Sequence, residues 1–234
     1  MDIGRSFSYV FEDQQWLKKV LIGGVINLIP IVNFAATGYW LDQTKRVTEG
    51  RDLPLPEWDN FGGYFMKGLM AFVATFVYSL PIIIIYCCIA LVVPALVGAG
   101  SSGSGSRSQP GPMAGLAAPL SICFGCLILL YALALLVFLP ALFIRYATTD
   151  QFGAFFQFGP AWQLINTNIG NYAIALLVFI VAAMVAGLVG SIACGVGAAF
   201  TGFWSYLVGA FLFGNFARGT AAPAAPAMIS PSTP

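Results

Sequence analysis

The chain contains no histidine, and only 8% of its 234 residues are charged. Histidine is the commonest general base in enzymes and the commonest metal ligand, so its absence argues against both kinds of chemistry. The chain also lacks the motifs of P-loop nucleotide binders, HExxH zinc proteases and dinucleotide-binding folds. We therefore expect no enzymatic activity, no cofactor and no bound metal. The formal net charge of +1 gives no reason to expect a nucleic-acid partner.

The low charge also excludes a soluble globular domain, because such domains have about a quarter of their residues charged. Hydrophobic residues make up 59% of the chain, and its mean hydropathy is +0.86. This composition predicts an all-α, polytopic membrane protein. The five cysteines lie in apolar runs, and Cys123-x-x-Cys126 supplies only half of a metal site, so we interpret them as buried thiols on helix faces.

Hydropathy divides the chain into an N-terminal interfacial segment, a membrane domain and a tail. Aromatic and charged residues are interleaved in residues 1–19, which is typical of the membrane–water interface. The membrane domain covers residues 20–218, where a Gly/Ser-rich solvent loop is expected at 98–118, and the tail 219–234 is expected to be disordered. The apolar segments, each long enough to cross a bilayer, are residues 20–41, 69–97, 119–144, 172–189 and 192–217.

Polar and helix-breaking residues interrupt the first apolar segment at its centre. Because Asn27, Pro30 and Asn33 lie there, the segment is either one kinked span or a re-entrant hairpin with these residues at its tip. Broken helices in the middle of a membrane mark binding sites in transporters, which makes the three residues a candidate polar site. The alternative, which we favour, is a hairpin tip whose amides satisfy the backbone groups that the break frees.

The distribution of Lys and Arg decides between a kinked span and a hairpin. If residues 20–41 form a hairpin, all ten Lys and Arg residues except Arg107 lie on one face of the membrane. The positive-inside rule favours this arrangement over the more even division that a span would give. We therefore expect a hairpin followed by four full spans in the cell (inner or plasma) membrane, with both termini in the cytoplasm.

A ten-residue stretch occurs twice: DNFGGYFMKG begins at residue 59 and DQFGAFFQFG begins at residue 150. On a helix the aromatic positions share one face, and the leading aspartate suits an N-cap. Since two spans separate the copies, they are expected as short cytoplasmic interfacial helices of a parallel internal repeat, although two such helices can also converge on aromatic composition. The aromatic faces either line a groove for a lipid or substrate or, as we favour, only anchor the helices. The residues concerned are Asp59, Phe61, Tyr64, Phe65, Asp150, Phe152, Phe155 and Phe156.

Small residues recur at short helical spacings in the last two apolar segments, and such residues let helices approach closely. The positions are Gly187, Ser191, Gly195, Ala199, Gly202 and Gly214. We expect them to pack within the chain. A membrane-protein partner or a second copy of the chain is the alternative.

The stretches FEDQQWLKK, LIGG, IPIVN and LPLPEWDNFG resemble a family of bacterial and archaeal polytopic membrane proteins described as a domain of unknown function. The resemblance extends loosely through IRYATTDQFGAFF. It implies the same topology and, because the family has no established activity, it adds no catalytic residue. We favour a non-catalytic scaffold or accessory subunit of a membrane protein complex. The alternative is a small transporter or lipid-handling protein that uses the broken first segment and the groove between the repeats.

Overall fold

The structure is a computed structural model that describes residues 2–98, 114–192 and 195–220. Within these residues all regular structure is helical, so the expected all-α fold is confirmed. Short 3₁₀ helices cover Tyr9–Glu12, Trp58–Asn60 and Phe152–Phe156. The α-helices are α1 (Ile3–Ser8), α2 (Trp16–Leu28), α3 (Phe34–Thr48), α4 (Phe61–Gly98), α5 (Ala114–Thr149), α6 (Phe158–Thr167), α7 (Ile169–Ile192) and α8 (Val196–Thr220).

Four helical stretches in the described residues are long and apolar enough to cross a membrane, which suggests a multi-pass membrane protein. They are Trp58–Val92, Ala118–Thr149, Ile169–Ile192 and Val196–Thr220. Helix α5 begins at Ala114, so the end of the expected solvent loop is helical. Residues 99–113 of that loop and residues 221–234 of the expected disordered tail lie outside the described residues.

Helices α4 and α5 each contribute to two compact units: of the described residues, those up to 72 and from 138 onwards form the first, and those between 73 and 137 form the second. In the second unit the Tyr131 hydroxyl on α5 donates a hydrogen bond to the carbonyl of Tyr78 on α4, at 2.9 Å. The prediction of buried thiols is wrong in this unit, because Cys87, Cys88, Cys123 and Cys126 are all exposed. Exposed apolar surface on a spanning helix faces lipid, so an apolar run does not require burial within the protein.

Helix α8 forms the centre of the first unit. In the most apolar 18-residue stretch of α8, 56% of the residues are buried within the protein, whereas the corresponding share for α7 is 22%. The buried side chains include those of Phe203, Leu207, Leu212 and Phe213. Helix α8 is therefore long enough to span a membrane but is covered mainly by protein.

Helices α2 and α3 lie against α8 in opposite directions. The contacts on α8 move towards its N-terminus as α2 proceeds and towards its C-terminus as α3 proceeds. The contacts that show this are Asn27–Ala199 and Gly23–Phe203 for α2, and Tyr39–Phe203 and Val47–Gly214 for α3. The two helices therefore form an antiparallel hairpin, whose tip is residues 29–33 and whose open end is the start of α2 and the end of α3.

The first turns of α4 lie against α3 through two glycines. A Cβ on Gly38 would overlap the carbonyl oxygen of Tyr64, and one on Gly68 would overlap that of Phe34. Backbones approach this closely only where a residue has no side chain. The hairpin and the start of α4 are thus held at a distance that larger residues would not permit.

Candidate functional site

Lys19 in the first turn of α2 has a buried ammonium group, and the residue is only 2% exposed. Its Nζ donates to Asp13 Oδ2 at 3.0 Å and to the carbonyl oxygen of Leu55 at 2.8 Å. Glu57 Oε1 lies 2.8 Å from the same nitrogen. Three acceptors match the three N–H groups of an ammonium. The buried charge is therefore both paired and hydrogen-bonded, as a stable buried charge has to be.

Asp13 connects the segment before α2 to the loop between α3 and α4. Its Oδ1 accepts from the backbone N–H of Gln15 at 2.7 Å, and its Oδ2 accepts from that of Leu55 at 2.8 Å. Burial raises the pKa of Asp13, but these N–H groups and the Lys19 ammonium outweigh burial and hold the pKa below its usual value. Asp13 is consequently ionised at neutral pH and available to Lys19.

A layer of aromatic rings packs over the same loop. Tyr39 stacks on Trp58 with ring centroids 4.5 Å apart, and Tyr64 meets both rings edge-on. The hydroxyl of Tyr39 donates to the carbonyl of Pro56 at 2.8 Å. Trp58 Nε1 donates to the carbonyl of Lys19 at 3.1 Å. The aromatic layer therefore satisfies carbonyl groups of the loop and of α2 while it covers them.

A second charge cluster links α3, α4 and the segment after α5. Asp42 accepts from Arg46 Nε at 3.1 Å and from Lys67 Nζ at 3.0 Å. Asp150 Oδ1 lies 3.3 Å from Lys67 Nζ, and its Oδ2 accepts from Lys45. Burial raises the pKa of Asp150, but the two lysines outweigh it and keep the pKa below its usual value. The cluster joins segments that are far apart in the sequence.

Both clusters consist of charges that already have partners of opposite sign, so their geometry suits holding segments together rather than proton transfer. Among the residues that the structure describes, no group of three or more His, Cys, Asp or Glu side chains is arranged to hold a metal ion.

The predicted polar residues of the first apolar segment lie at and beside the hairpin tip. Pro30 is exposed between the helices, and Ile31 after it has a φ of 73°. Asn27 Nδ2 donates to the carbonyl of Ala199 on α8 at 3.2 Å. Asn33 immediately precedes α3, and its buried Oδ1 has no hydrogen-bond partner among the described residues. Asn27 thus contributes to the packing of α2 on α8.

The first copy of the repeated stretch begins α4 instead of forming a separate short helix. Asp59 lies in the preceding 3₁₀ helix and is exposed. The expected capping role belongs to its neighbour Asn60, whose Oδ1 accepts from the backbone N–H of Gly63 at 3.2 Å. The prediction of an Asp59 cap is therefore wrong, because the helix begins two residues later than the aspartate.

The second copy forms the 3₁₀ helix Phe152–Phe156, and α6 begins after it. Asp150 has a φ of 52°, outside the extended range typical of an N-cap, and its carboxylate binds lysines instead. The prediction of an Asp150 cap is wrong for this reason. The two copies therefore differ in local structure, and a common origin for them stays a prediction.

The central aromatic residue of each copy is buried. Tyr64 and its counterpart Phe155 are 4% and 0% exposed. Tyr64 packs on Tyr39, whereas Phe155 stacks on Tyr146 with centroids 4.4 Å apart. The outer positions Phe61, Phe152 and Phe156 are exposed, and Phe65 is half-buried. Each copy thus buries its central ring against its own neighbours.

The predicted small residues divide into those that pack within the chain and those that do not. A Cβ on Gly214 would overlap Val47, Ala199 accepts from Asn27, and Gly202 lies close to the same asparagine. Among the residues that the structure describes, no atom lies within 4 Å of the position that a Cβ on Gly187 or Gly195 would occupy, and Ser191 is exposed. The glycines that the prediction missed, Gly23, Gly24, Gly38, Gly68, Gly190 and Gly209, make close contacts.

The buried pair of Asp13 and Lys19 is not indicated by the sequence. Asp13 and Lys19 are six residues apart among polar residues, a pattern that equally fits exposed charges. The available signal is that both lie in FEDQQWLKK, while their partner Glu57 lies in LPLPEWDNFG. These are two of the stretches that carry the family resemblance.

A family model described as "Protein of unknown function (DUF4013)" matches residues 22–195 of the chain. The chain therefore belongs to this family, and the resemblance noted in the sequence is confirmed. No curated protein and no solved structure matches the chain.

Replacing Lys19 with methionine should lower the free energy of unfolding by about 3–5 kcal/mol, because it leaves Asp13 buried without its counter-charge. Lys18→Met is the matched control, since it makes the same change at an exposed neighbour and should cost less than about 0.5 kcal/mol. Denaturant titration of the full chain in detergent micelles measures both values. Equal losses in the two variants would show that the buried pair contributes nothing specific.

Asp150→Asn should lower stability by about 1 kcal/mol at neutral pH, a value limited by the partial exposure of its ion pairs. Asparagine tolerates the positive φ, so the variant changes the charge and little else. The pKa of Asp150 is lowered in the folded state. The extra stability of the wild type over Asp150→Asn is therefore fully present above the unfolded-state pKa of about 4, and it is lost as the pH falls through the folded-state pKa.

Asp59→Asn, the corresponding change in the first copy of the repeated stretch, is the control for Asp150→Asn and should leave stability unchanged. Unfolding is measured across the acidic pH range in detergent. If the Asp150→Asn difference did not depend on pH, or if Asp59→Asn cost as much, the ion-pair assignment would be wrong.

Proposed function

We propose that this member of the DUF4013 family is a non-catalytic membrane protein that acts as a scaffold or accessory subunit of a membrane protein complex. The supporting observation is that α7 has two small-residue faces. Ala182, Ala186 and Gly190 are buried, and a Cβ on Gly190 would overlap the backbone of α8. Gly187 and Ser191 are exposed on the same helix. Since such faces allow close helix packing, the second one suits the spanning helix of a partner or a second copy of the chain.

The contacts of the hairpin and of the repeated stretches favour this function over that of a transporter. Asn27 uses an amide N–H to pack α2 on α8, so its side chain has a structural role within the chain. Tyr64 and Phe155 are buried against neighbours of their own, so these two rings do not line an open groove. These residues serve packing, and packing is what a scaffold requires.

We further propose that the α2–α3 hairpin is re-entrant and enters the membrane from the cytoplasm. Helices α2 and α3 have 13 and 15 residues, or about 20 and 22 Å at ~1.5 Å per residue, which is short of the ~30 Å hydrocarbon core. The apolar tip residues Leu28, Ile29 and Ile31 are exposed, as suits contact with lipid. The proposed membrane is the inner or plasma membrane, with both chain termini in the cytoplasm and the lipid bilayer as a partner.

A topology measurement tests the hairpin. Single cysteines replace Ser8, before α2, and Gly50, after α3, in a chain whose five native cysteines are changed to alanine. Both positions should react with a membrane-impermeant thiol reagent only after the cells are opened. Labelling of one position in intact cells and the other only in opened cells would place them on opposite faces and contradict a re-entrant hairpin.

Photo-crosslinking in cells tests the scaffold role. A photoreactive residue at Leu188, which is 68% exposed beside Gly187 and Ser191, should capture one discrete membrane protein or a second copy of the chain. Leu130 on α5, which is 64% exposed, is the control and should capture lipid without that product. Gly187→Leu should abolish the product by preventing close approach. Crosslinking only to lipid at Leu188 would contradict the proposal.

A further inference from the structure

A polar cavity of about 390 Å³ lies beside the last turns of α8 and is separate from both charge clusters. Helix α1, the start of α7 and the end of α8 form its walls. Its size falls within the range of small-molecule sites, about 300–1,000 Å³. The polar lining includes two arginines and three asparagines, namely Arg5, Arg218, Asn168, Asn171 and Asn215.

The asparagines present both donors and acceptors to the cavity. Asn168 Oδ1 accepts from the backbone N–H of Asn171 at 3.4 Å, which leaves its amide NH₂ group as a donor. Asn215 Nδ2 donates to the carbonyl of Phe211 at 3.0 Å, so its Oδ1 is left as an acceptor. Phe211, Asn215 and Arg218 follow one another at i, i+4 and i+7, and they therefore share one face of α8.

The two arginines contribute differently. Arg5 is fixed by Glu12 at 3.3 Å and Asp52 at 3.2 Å, and its guanidinium carbon lies 5.8 Å from the centre of the Phe211 ring. These carboxylates offset its charge but occupy only some of its five N–H donors. Arg218 is exposed in the last turn of α8 and adds a further positive charge to the lining. Attraction of an anion into the cavity thus depends mainly on Arg218.

Asp2 adds a carboxylate to the lining. Its Oδ1 accepts from the backbone N–H of Arg5 at 3.0 Å as the N-cap of α1. An isolated phosphate gains nothing from this group. A ligand that carries a hydroxyl or amine next to its phosphate can donate to Asp2 and to Asn215 Oδ1 while arginine and amide N–H groups bind its phosphate oxygens.

The cavity lies at the ends of two helices that are apolar enough to cross a membrane. Helix α7 begins at Ile169, and α8 ends at Thr220. The ends of spanning helices lie at the depth of lipid headgroups, where arginines extend towards the interface. Basic pockets between spanning helices on the cytoplasmic side suit phosphate-containing headgroups.

We propose that this cavity binds a phosphate ester that also carries a hydroxyl or amine group, the chemistry of a glycerophospholipid headgroup. Arg218, Arg5 and the amide of Asn168 hold the phosphate oxygens. Asp2 and Asn215 accept hydrogen bonds from the hydroxyl or amine. The assignment to a lipid headgroup depends on α7 and α8 crossing the membrane, and the site is independent of the scaffold role.

The test compares the full chain in detergent with and without added phosphatidylglycerol. The lipid should raise the unfolding temperature of the wild type by about 3 °C or more, since a ligand that binds only the folded state stabilises it. Diacylglycerol, which has the same chains and no phosphate, should give no shift. Glycerol 3-phosphate, a soluble phosphate ester, distinguishes a lipid from a soluble ligand.

Two variants and a matched control place the effect in the cavity. Arg218→Gln removes the exposed charge, and Arg51→Gln makes the same change outside the cavity. Asn171→Asp puts a carboxylate in the lining. Because residue 171 is the third residue of α7, this negative charge interacts favourably with the N-terminus of the helix, and the unliganded chain should stay folded. Arg218→Gln and Asn171→Asp should lose most of the lipid-induced shift, whereas Arg51→Gln should keep it.

The remaining outcomes decide the ligand or reject the site. A shift with glycerol 3-phosphate that Arg218→Gln abolishes would support the site and assign it to soluble phosphate esters. Equal shifts with phosphatidylglycerol in Arg218→Gln and Arg51→Gln, an equal shift with diacylglycerol, or no shift with either phosphate ester would overturn the proposal.

Discussion

The burial of the Lys19 ammonium is the constraint on which the arrangement of the first unit depends. A buried charge without a partner costs several kcal/mol, and the partners of Lys19 come from two separate parts of the chain. Asp13 precedes α2, whereas Leu55 and Glu57 belong to the loop before α4. The N-terminal segment and this loop must therefore close over the start of α2 together. A loop that moved away would leave the ammonium and the Asp13 carboxylate short of hydrogen bonds.

Phe203 connects α8 to the segments that surround Lys19. Its ring lies 5.5 Å from that of Tyr39 and 5.8 Å from that of Trp58, and it also occupies the space that a side chain at Gly23 would need. One buried ring thus contacts α2, α3 and the loop. Tyr9 connects the N-terminal segment to α8 as well, because its hydroxyl donates to the carbonyl of Leu207 at 2.8 Å. The glycine on α2 and the polar groups of the loop are therefore both needed around Phe203.

The sequence predicts the coarse fold well because lipid and water impose simple rules on it. Length and hydropathy predict the four long apolar helices, and Pro30 marks the break that separates α2 from α3. The same rules fail where segments distant in the chain meet. Asp150 was expected to cap a helix, but its position is set by Lys45 and Lys67, which no local pattern indicates. Burial of Lys19 is unpredictable for the same reason, since charge in a sequence normally indicates exposure.

The two charge clusters also bear on why a segment of 22 uncharged residues would fold as a hairpin. The Lys19 cluster lies at the start of α2, and the Asp42 cluster lies on α3 near its end, so both are towards the open end of the hairpin. For residues 20–41 to span, one cluster would have to be separated from the other by the thickness of the membrane. Tyr39 and Trp58, which stack across α3 and the loop, would have to separate as well. The charges at the open end therefore oppose a single span more strongly than the proline at the tip does. A proline alone is compatible with a kinked spanning helix.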